Sequence, residues 1–386
     1  MLRVAVLTGC RSDYGLLRPL LRLLEDEPGV EPAVYAAAGH LAVSRGSTVE
    51  LVEADGFRPR RLAPLDEADD SLTGMADLAG RVCGALAELW RTERPHWLVV
   101  LGDRVEVLGA ATAAWYSRVA LAQLQAGDRS RVDDGPRHAV SRLAQLLFPA
   151  TVAAEERLLA WGEEPQRVHR VGSLALDHAR DQRPLDEAEL SELGERLGLD
   201  LHGPFHLLVY HPLPGEAAAT QRGLAACLTA LTELNEPVLA LHPNADAGGR
   251  AVIAALRDWA AAADRRALTA NLPPREFVGL LRGCGALVGN SSAGLIEASL
   301  LGTPVVNVGR RQDGRERGAN VYDLPEPTAD GVRATLARIR ADDELREQLT
   351  AQPSPYGDGR AAPRVVESLL SAPLDDDFLS KRLVER

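Results

Sequence analysis

The chain has 386 residues, more than one hydrophobic core usually encloses, so two domains are the expectation. It is 46% hydrophobic and 25% charged, the balance of an ordinary globular protein. Its formal net charge of −12 argues against nucleic acid or an anionic membrane as a principal partner, although it does not constrain any single pocket.

In chain order, "RVAVLTG" (3–9) opens the sequence as a strand-like run with no signal-peptide pattern, which predicts a cytoplasmic protein. "YGLLRPLLRLLEDE" (14–27) follows with apolar residues three and four apart, the period of an amphipathic helix. The runs "EPAVYAAAG" (31–39), "HWLVVLGD" (96–103), "VALAQLQAG" (119–127) and "LFPATVAA" (147–154) read as further strands. The helical pattern "MADLAGRVCGALAELWRTERP" (75–95) lies among them and ends at Pro95. After polar sequence and the amphipathic "DEAELSELGERLGL", the alternation restarts with "FHLLVYHP" (205–212), "PVLALHPN" (237–244), "GALVGN" (285–290) and "TPVVNVG" (303–309).

Strand–helix alternation of this kind predicts an α/β protein with parallel sheets covered on both faces. The expected organisation is one domain over 1–170, a second over 171–370, and a terminal helical segment over 371–386. Two such halves imply a ligand in a cleft between them, outside the carboxyl ends of strands. No apolar stretch reaches the roughly 18–20 residues of a membrane span. Cys10, Cys83, Cys227 and Cys284 are scattered without a C-x-x-C pair, so neither a zinc site nor a disulfide framework is expected, and a reducing compartment fits. Lys381 is the only lysine, which excludes most lysine-based chemistry.

The candidate chemistry sits at strand ends. In "GNSSAGLIEASLLGTP" (289–304), Asn290, Ser291 and Ser292 are helix-capping types before a helical pattern, and Glu297 falls early in it. Small residues there let an anion approach free N–H groups; the alternative is a plain capped helix. In "VGRRQDGRERGANV" (308–321), Arg310, Arg311, Arg315 and Arg317 crowd one loop and could clamp phosphate, or could simply be a solvated basic loop. Two phosphate-type devices at successive strand ends favour a diphosphate ligand.

"TGCRSDYGLL" (8–17) places Arg11 where it can reach a ligand and Ser12 or Asp13 where either can cap a helix. His211 and the pair His242 and Asn244 stand at the ends of two later strands, where ligand contact and turn chemistry are both open. "GDR" puts Asp103 beside Arg104 at another strand end; the pair could be a neutralised surface couple, or Asp103 could handle a proton at the sugar end of the ligand. "AGDRSRVDDGPRHAVSRL" (126–143) adds Asp128, Asp133 and Asp134, carboxylates that could raise one another's pKa into the range of a general base.

These motifs, with "AGHLAVSRGSTVELVEADGF" and "VGSLALD", are collinear from Arg3 to about Leu324 with those of a known family. The sequence resembles the UDP-N-acetylglucosamine 2-epimerase family, and within it the hydrolysing branch of the sialic-acid and related nonulosonate pathways. The resemblance implies the glycosyltransferase-B architecture: two Rossmann-like domains, UDP held mainly by the second, and a C-terminal helix packing back on the first. It implies nucleotide contacts at Arg11, Asn244, Ser291, Ser292, Glu297 and Arg311, with Glu297 at the ribose hydroxyls. It implies action at the sugar for Asp103, Asp133 and His211, and Asp177 matches a further substrate position. A homodimer and a UDP-sugar substrate follow as expectations, with no metal or redox cofactor.

The implied reaction is anti elimination of UDP across C1–C2, then addition of water to give the 2-epimeric free sugar. The sequence departs from the family at three points: amides at Gln123 and Gln125 where titratable groups are usual, Leu101 where His is frequent, and a loop between Asp128 and Asp133 about one residue short. Proton transfer would then fall to Asp103, Asp128, Asp133 or Asp134 with His211. The alternatives are a UDP-sugar hydrolase or glycosyl transferase without epimerisation, and a non-catalytic UDP-sugar-binding protein.

Overall fold

The computed structural model describes residues 1–384 other than 43–47, 66–68, 70, 103, 130–133, 235, 245 and 383. The described residues form two compact units. Unit 1 holds the chain up to His178 and again from Tyr356 onward; unit 2 runs from Ala179 to Pro355. The expected limits at 170 and 370 are therefore corrected: the chain re-enters unit 1 at Tyr356, before the helix Ala361–Ser371. That helix buries Ala361, Ala362, Val365, Val366 and Leu369 in the core that Leu17, Leu20 and Leu24 also enter. The segment 371–386, expected to be helical, contains a single turn of helix, Asp376–Leu379, whose Phe378 ring meets Trp97 edge-on at 5.9 Å.

Unit 1 contains β1 (Leu2–Thr8), β2 (Val30–Ala38), β3 (Arg60–Pro64), β4 (Trp97–Leu101), β5 (Ala120–Leu124) and β6 (Leu146–Phe148) in the order β3-β2-β1-β4-β5-β6. Unit 2 contains β7 (His206–Val209), β8 (Val238–Leu241), β9 (Arg266–Thr269), β10 (Ala286–Gly289), β11 (Val305–Val308) and β12 (Val321–Leu324) in the order β12-β11-β10-β7-β8-β9. Every pairing is parallel. Each sheet thus has the doubly wound strand order, with the winding direction reversing between β1 and β4 and between β7 and β10.

Alternation along the strands sends side chains to opposite faces. Val4 and Val6 enter one core of unit 1, and Ala5 and Leu7 enter the other. In unit 2, Leu207 and Val209 divide in the same way from Leu208 and Tyr210. Burial on both faces is why the central strands read as continuous apolar runs. No helix among the described residues is long and apolar enough to cross a membrane.

Candidate active site

The switch point of unit 2 is built around Asn290, the residue after β10. Its Oδ1 accepts the His211 N–H at 2.7 Å, its Nδ2 donates to the His211 carbonyl at 2.9 Å, and its own N–H reaches Val209 O at 3.1 Å. A single buried amide therefore ties the ends of β7 and β10 together. His211 Nδ1 accepts the Asn244 N–H at 3.0 Å, so the neutral ring carries its proton on Nε2 and presents a donor there. Sequence reasoning treated Asn290 only as a capping type; its function as a strand clamp depends on two backbone groups 79 residues away in sequence.

The Asn290 carbonyl also collects donors from the loop after β11: Gln312 Nε2 at 2.8 Å and Arg311 Nη1 at 3.4 Å. Arg311 Nη2 also pairs with Asp246 at 3.8 Å. Arg315 donates to Gln312 Oε1 at 3.0 Å, and its Nε is buried without a partner among the described residues. The other two arginines of this loop turn away. Arg310 pairs with Glu326 and Asp313 on the surface, and Arg317 pairs with Asp323. Of the four expected to clamp phosphate, Arg311 and Arg315 are the inward pair.

The expected helix after "GNSS" is also corrected. Ser291 does cap, accepting the Ala293 N–H at 3.3 Å, but it opens only a 3-10 turn, Ser292–Gly294. The α-helix that follows is Glu297–Leu301, five residues ended by the left-handed Gly302. Its first residue is Glu297, whose carboxyl burial pushes up to about 7 against the pull of Arg315. His242 and Asn244 follow β8, with the His242 N–H on Thr269 O.

The corresponding edge of unit 1 carries carboxylates and arginines together. Asp103 and Asp133 lie outside the described residues. Arg11 begins the helix Arg11–Asp26, directly after β1. Neither Ser12 nor Asp13 caps that helix; the cap position is Cys10, and Asp13 Oδ2 instead accepts the Gly9 N–H at 3.4 Å. Arg104 Nε is shared between Glu106 at 2.8 Å and Asp13 at 3.4 Å. One guanidinium thus serves the buried Glu106 and the partly buried Asp13, and desolvation, with Glu106 adding to it, raises the Asp13 pKa. A Cβ at position 9 would fall 1.6 Å from Glu106 Oε1, so a side chain there would displace Glu106 from its present place.

Close by, His40 is locked by Thr8 Oγ1 at 2.9 Å and Thr48 Oγ1 at 3.0 Å, and burial holds it at about 4, a neutral ring. Asp128 is buried after the turn at Gly127, whose carbonyl accepts from Arg157. Gln125 adopts a left-handed φ of 56°, a strained conformation for a residue with a side chain. Asp177, expected at the substrate, belongs to unit 1 and is otherwise engaged. Its two carboxylate oxygens accept the N–H groups of Ala361 at 2.8 Å and Ala362 at 2.7 Å, capping the helix that brings the chain back.

Two Rossmann-like units in one chain, each with polar groups gathered at its switch point, have the domain folds of the glycosyltransferase-B class. The sequence pattern of UDP-N-acetylglucosamine 2-epimerases matches residues 22–370, and the chain belongs to that family. It is 31% identical over 380 residues, 98% of each chain, to a protein of Legionella pneumophila described as UDP-N,N'-diacetylbacillosamine 2-epimerase (hydrolyzing). It is 29% identical to the UDP-N-acetylglucosamine 2-epimerase of Neisseria meningitidis over 89% of this chain and 90% of that one. The crystal structure of UDP-GlcNAc 2-epimerase from Neisseria meningitidis bound to UDP-GlcNAc superposes with a TM-score of 0.79 at 17% identity, covering 96% of this chain and all of that one.

Proposed function

We propose that the chain is a hydrolysing 2-epimerase that converts a UDP-linked 2-acetamido sugar to the 2-epimeric free sugar and UDP. The observation that carries this reading is the gathering of the His211, Ser291 and Arg311 positions around Asn290 at the switch point of unit 2. Arg311, Arg315 and Ser291 with Ser292 hold the diphosphate as it leaves, and Glu297 accepts from the ribose hydroxyls. Arg11 and Asn244 complete the nucleotide contacts, with His242 beside them. His211 donates from Nε2. Unit 1 supplies the carboxylates: Asp103 takes the C2 proton, and Asp128 and Asp133 serve the addition of water. Elimination and hydration both proceed by proton transfer and charge stabilisation.

Similarity to relatives described as acting on UDP-N-acetylglucosamine and on UDP-N,N'-diacetylbacillosamine narrows the substrate to a 2-acetamido hexose and leaves the substituents at C4 and C6 to experiment. Incubation with each of these two UDP-sugars, followed by UDP release and identification of the free sugar, tests the proposal. A 2-epimer from either supports it, and an unepimerised sugar from both overturns it. That second outcome is the alternative of a plain UDP-sugar hydrolase, and the engaged amide of Gln123 favours it, since an amide cannot exchange protons near neutral pH. The same reading includes a cytoplasmic homodimer, which predicts a solution mass twice 41.4 kDa.

Arg311→Ala removes a charge-assisted donor to the leaving diphosphate, and UDP affinity measured by calorimetry is expected to fall by about 10–100-fold, from roughly 1.5–3 kcal/mol. Glu297 gives a pH dependence. Its carboxyl is neutral below about 7, so the ionised form that best accepts two ribose hydroxyls accumulates only above it. UDP affinity is expected to rise with pH through 7 and to flatten in Glu297→Gln. Without ligand the sign is opposite for the fold: ionising Glu297 costs stability as pH rises from its ordinary 4.5 to about 7.

A further inference from the structure

The residue that replaces a titratable group in this chain is wired into the backbone of unit 1. Gln123 lies fully buried in β5. Its Nε2 donates to the carbonyls of Gly102 and Arg137, each at 3.1 Å, and its Oε1 lies 2.6 Å from Ser141 Oγ. Reversing the amide would set its oxygen against two carbonyl oxygens, so the orientation is fixed. Both donors are spent on carbonyls, one at the residue before Asp103 and one in the helix Asp134–Leu143.

The only lysine meets the same helix at the same residue, Ser141. The Ser141 carbonyl belongs to the last turn, where helical carbonyls lack partners within the helix, and Lys381 Nζ donates to it at 2.6 Å. Lys381 and Glu163 are paired at 2.6 Å with side chains 3% and 0% exposed, and Glu163 also takes Arg142 at 2.8 Å. The tail that delivers Lys381 is anchored on both sides. Arg167 Nη1 donates to Phe378 O at 2.7 Å, Gln145 Nε2 to Leu379 O at 3.3 Å, and the Val384 N–H to Gly162 O at 2.8 Å. Burial lowers the ammonium to about 8, with Arg142 and Arg167 also opposing its charge and Glu163 supporting it, so it remains charged at pH 7.

We propose that Gln123 and Lys381 are positioning residues: together they fix the Gly102 carbonyl and the helix Asp134–Leu143, the backbone that adjoins Asp103 and Asp133 in sequence, so that the C-terminal tail supports the unit 1 half of the reaction. The proposal rests on the hydrolysing-epimerase reading for its rate readout and has a second readout that does not. Full-length Gln123→Leu, Lys381→Met and the double variant Lys381→Met with Glu163→Gln are compared with wild type at pH 7.

In Lys381→Met, kcat is expected to fall about 10–100-fold while KM and UDP affinity stay within about twofold, because misplaced groups lose rate before binding. The double variant, freed of the uncompensated carboxylate, recovers thermal stability but not kcat, and Lys381→Arg restores part of the rate. Hydrogen exchange of the peptide 98–106 quickens in Gln123→Leu and in Lys381→Met whether or not the wild type turns over either UDP-sugar. Wild-type kcat in Lys381→Met, kcat returning with stability in the double variant, or unchanged exchange in that peptide would each overturn the proposal. A wild type inactive on both UDP-sugars, with exchange still quickened in the variants, would sink the reaction assignment and leave the positioning intact.

Discussion

Asp103→Asn is expected to slow turnover by about 10²–10⁴-fold while leaving UDP affinity within about twofold. The substitution keeps the shape and removes the acceptor for the C2 proton. Asp103 follows Gly102 at the end of β4, one of the two strands between which unit 1 reverses its winding. Its neighbour Arg104 pairs with Asp13 and Glu106. Steady-state kinetics beside calorimetry with UDP separates the two effects. A collapse of UDP affinity together with rate would show that Asp103 serves the nucleotide and not the sugar.

Gly289→Ala is expected to destabilise unit 2 by about 3–5 kcal/mol, a large share of the roughly 5–15 kcal/mol that holds a domain together. Gly289 ends β10 with φ at 136°, and a Cβ there would lie 2.1 Å from Val209 O and 2.7 Å from Val209 C. Those atoms are backbone of the neighbouring central strand β7, which cannot turn aside as a side chain can. Any relief must spread β7 from β10 and pull Asn290 off His211. Urea unfolding should show the loss of stability, and UDP binding should weaken in the same variant. A melting temperature within a degree or two of wild type would mean that the strands separate more easily than the Asn290 clamp implies.

The central strands were legible because burial on both faces forces continuous apolar runs. Three edge strands were not: β3 is "RRLAP", β9 "RALT" and β12 "VYDL", each carrying charge and half exposed. Charge and brevity are how an edge avoids pairing with another chain, and they erase the pattern by which a strand is recognised. The opposite error occurred at "LFPATVAA", where β6 stops at Phe148 and Thr151 caps a helix from Val152.

At the site, the strand-end positions of His211, Ser291 and Arg311 follow from chain order alone, since a doubly wound sheet exposes its carboxyl ends. What the sequence concealed acts through the backbone. Asn290, Gln123 and Asp177 all bond main-chain groups distant in sequence, and no spacing rule encodes such partners. The Arg104 sharing and the neutral His40 were concealed for the same reason: burial, more than residue type, decides their charge.

The most direct test is turnover of UDP-N-acetylglucosamine in D₂O followed by NMR. A base that takes the C2 proton exchanges it with solvent, so the account predicts UDP together with a free manno-configured sugar bearing deuterium at C2. Free sugar that keeps its original C2 hydrogen, or no release of UDP from either this nucleotide-sugar or UDP-N,N'-diacetylbacillosamine, would contradict it.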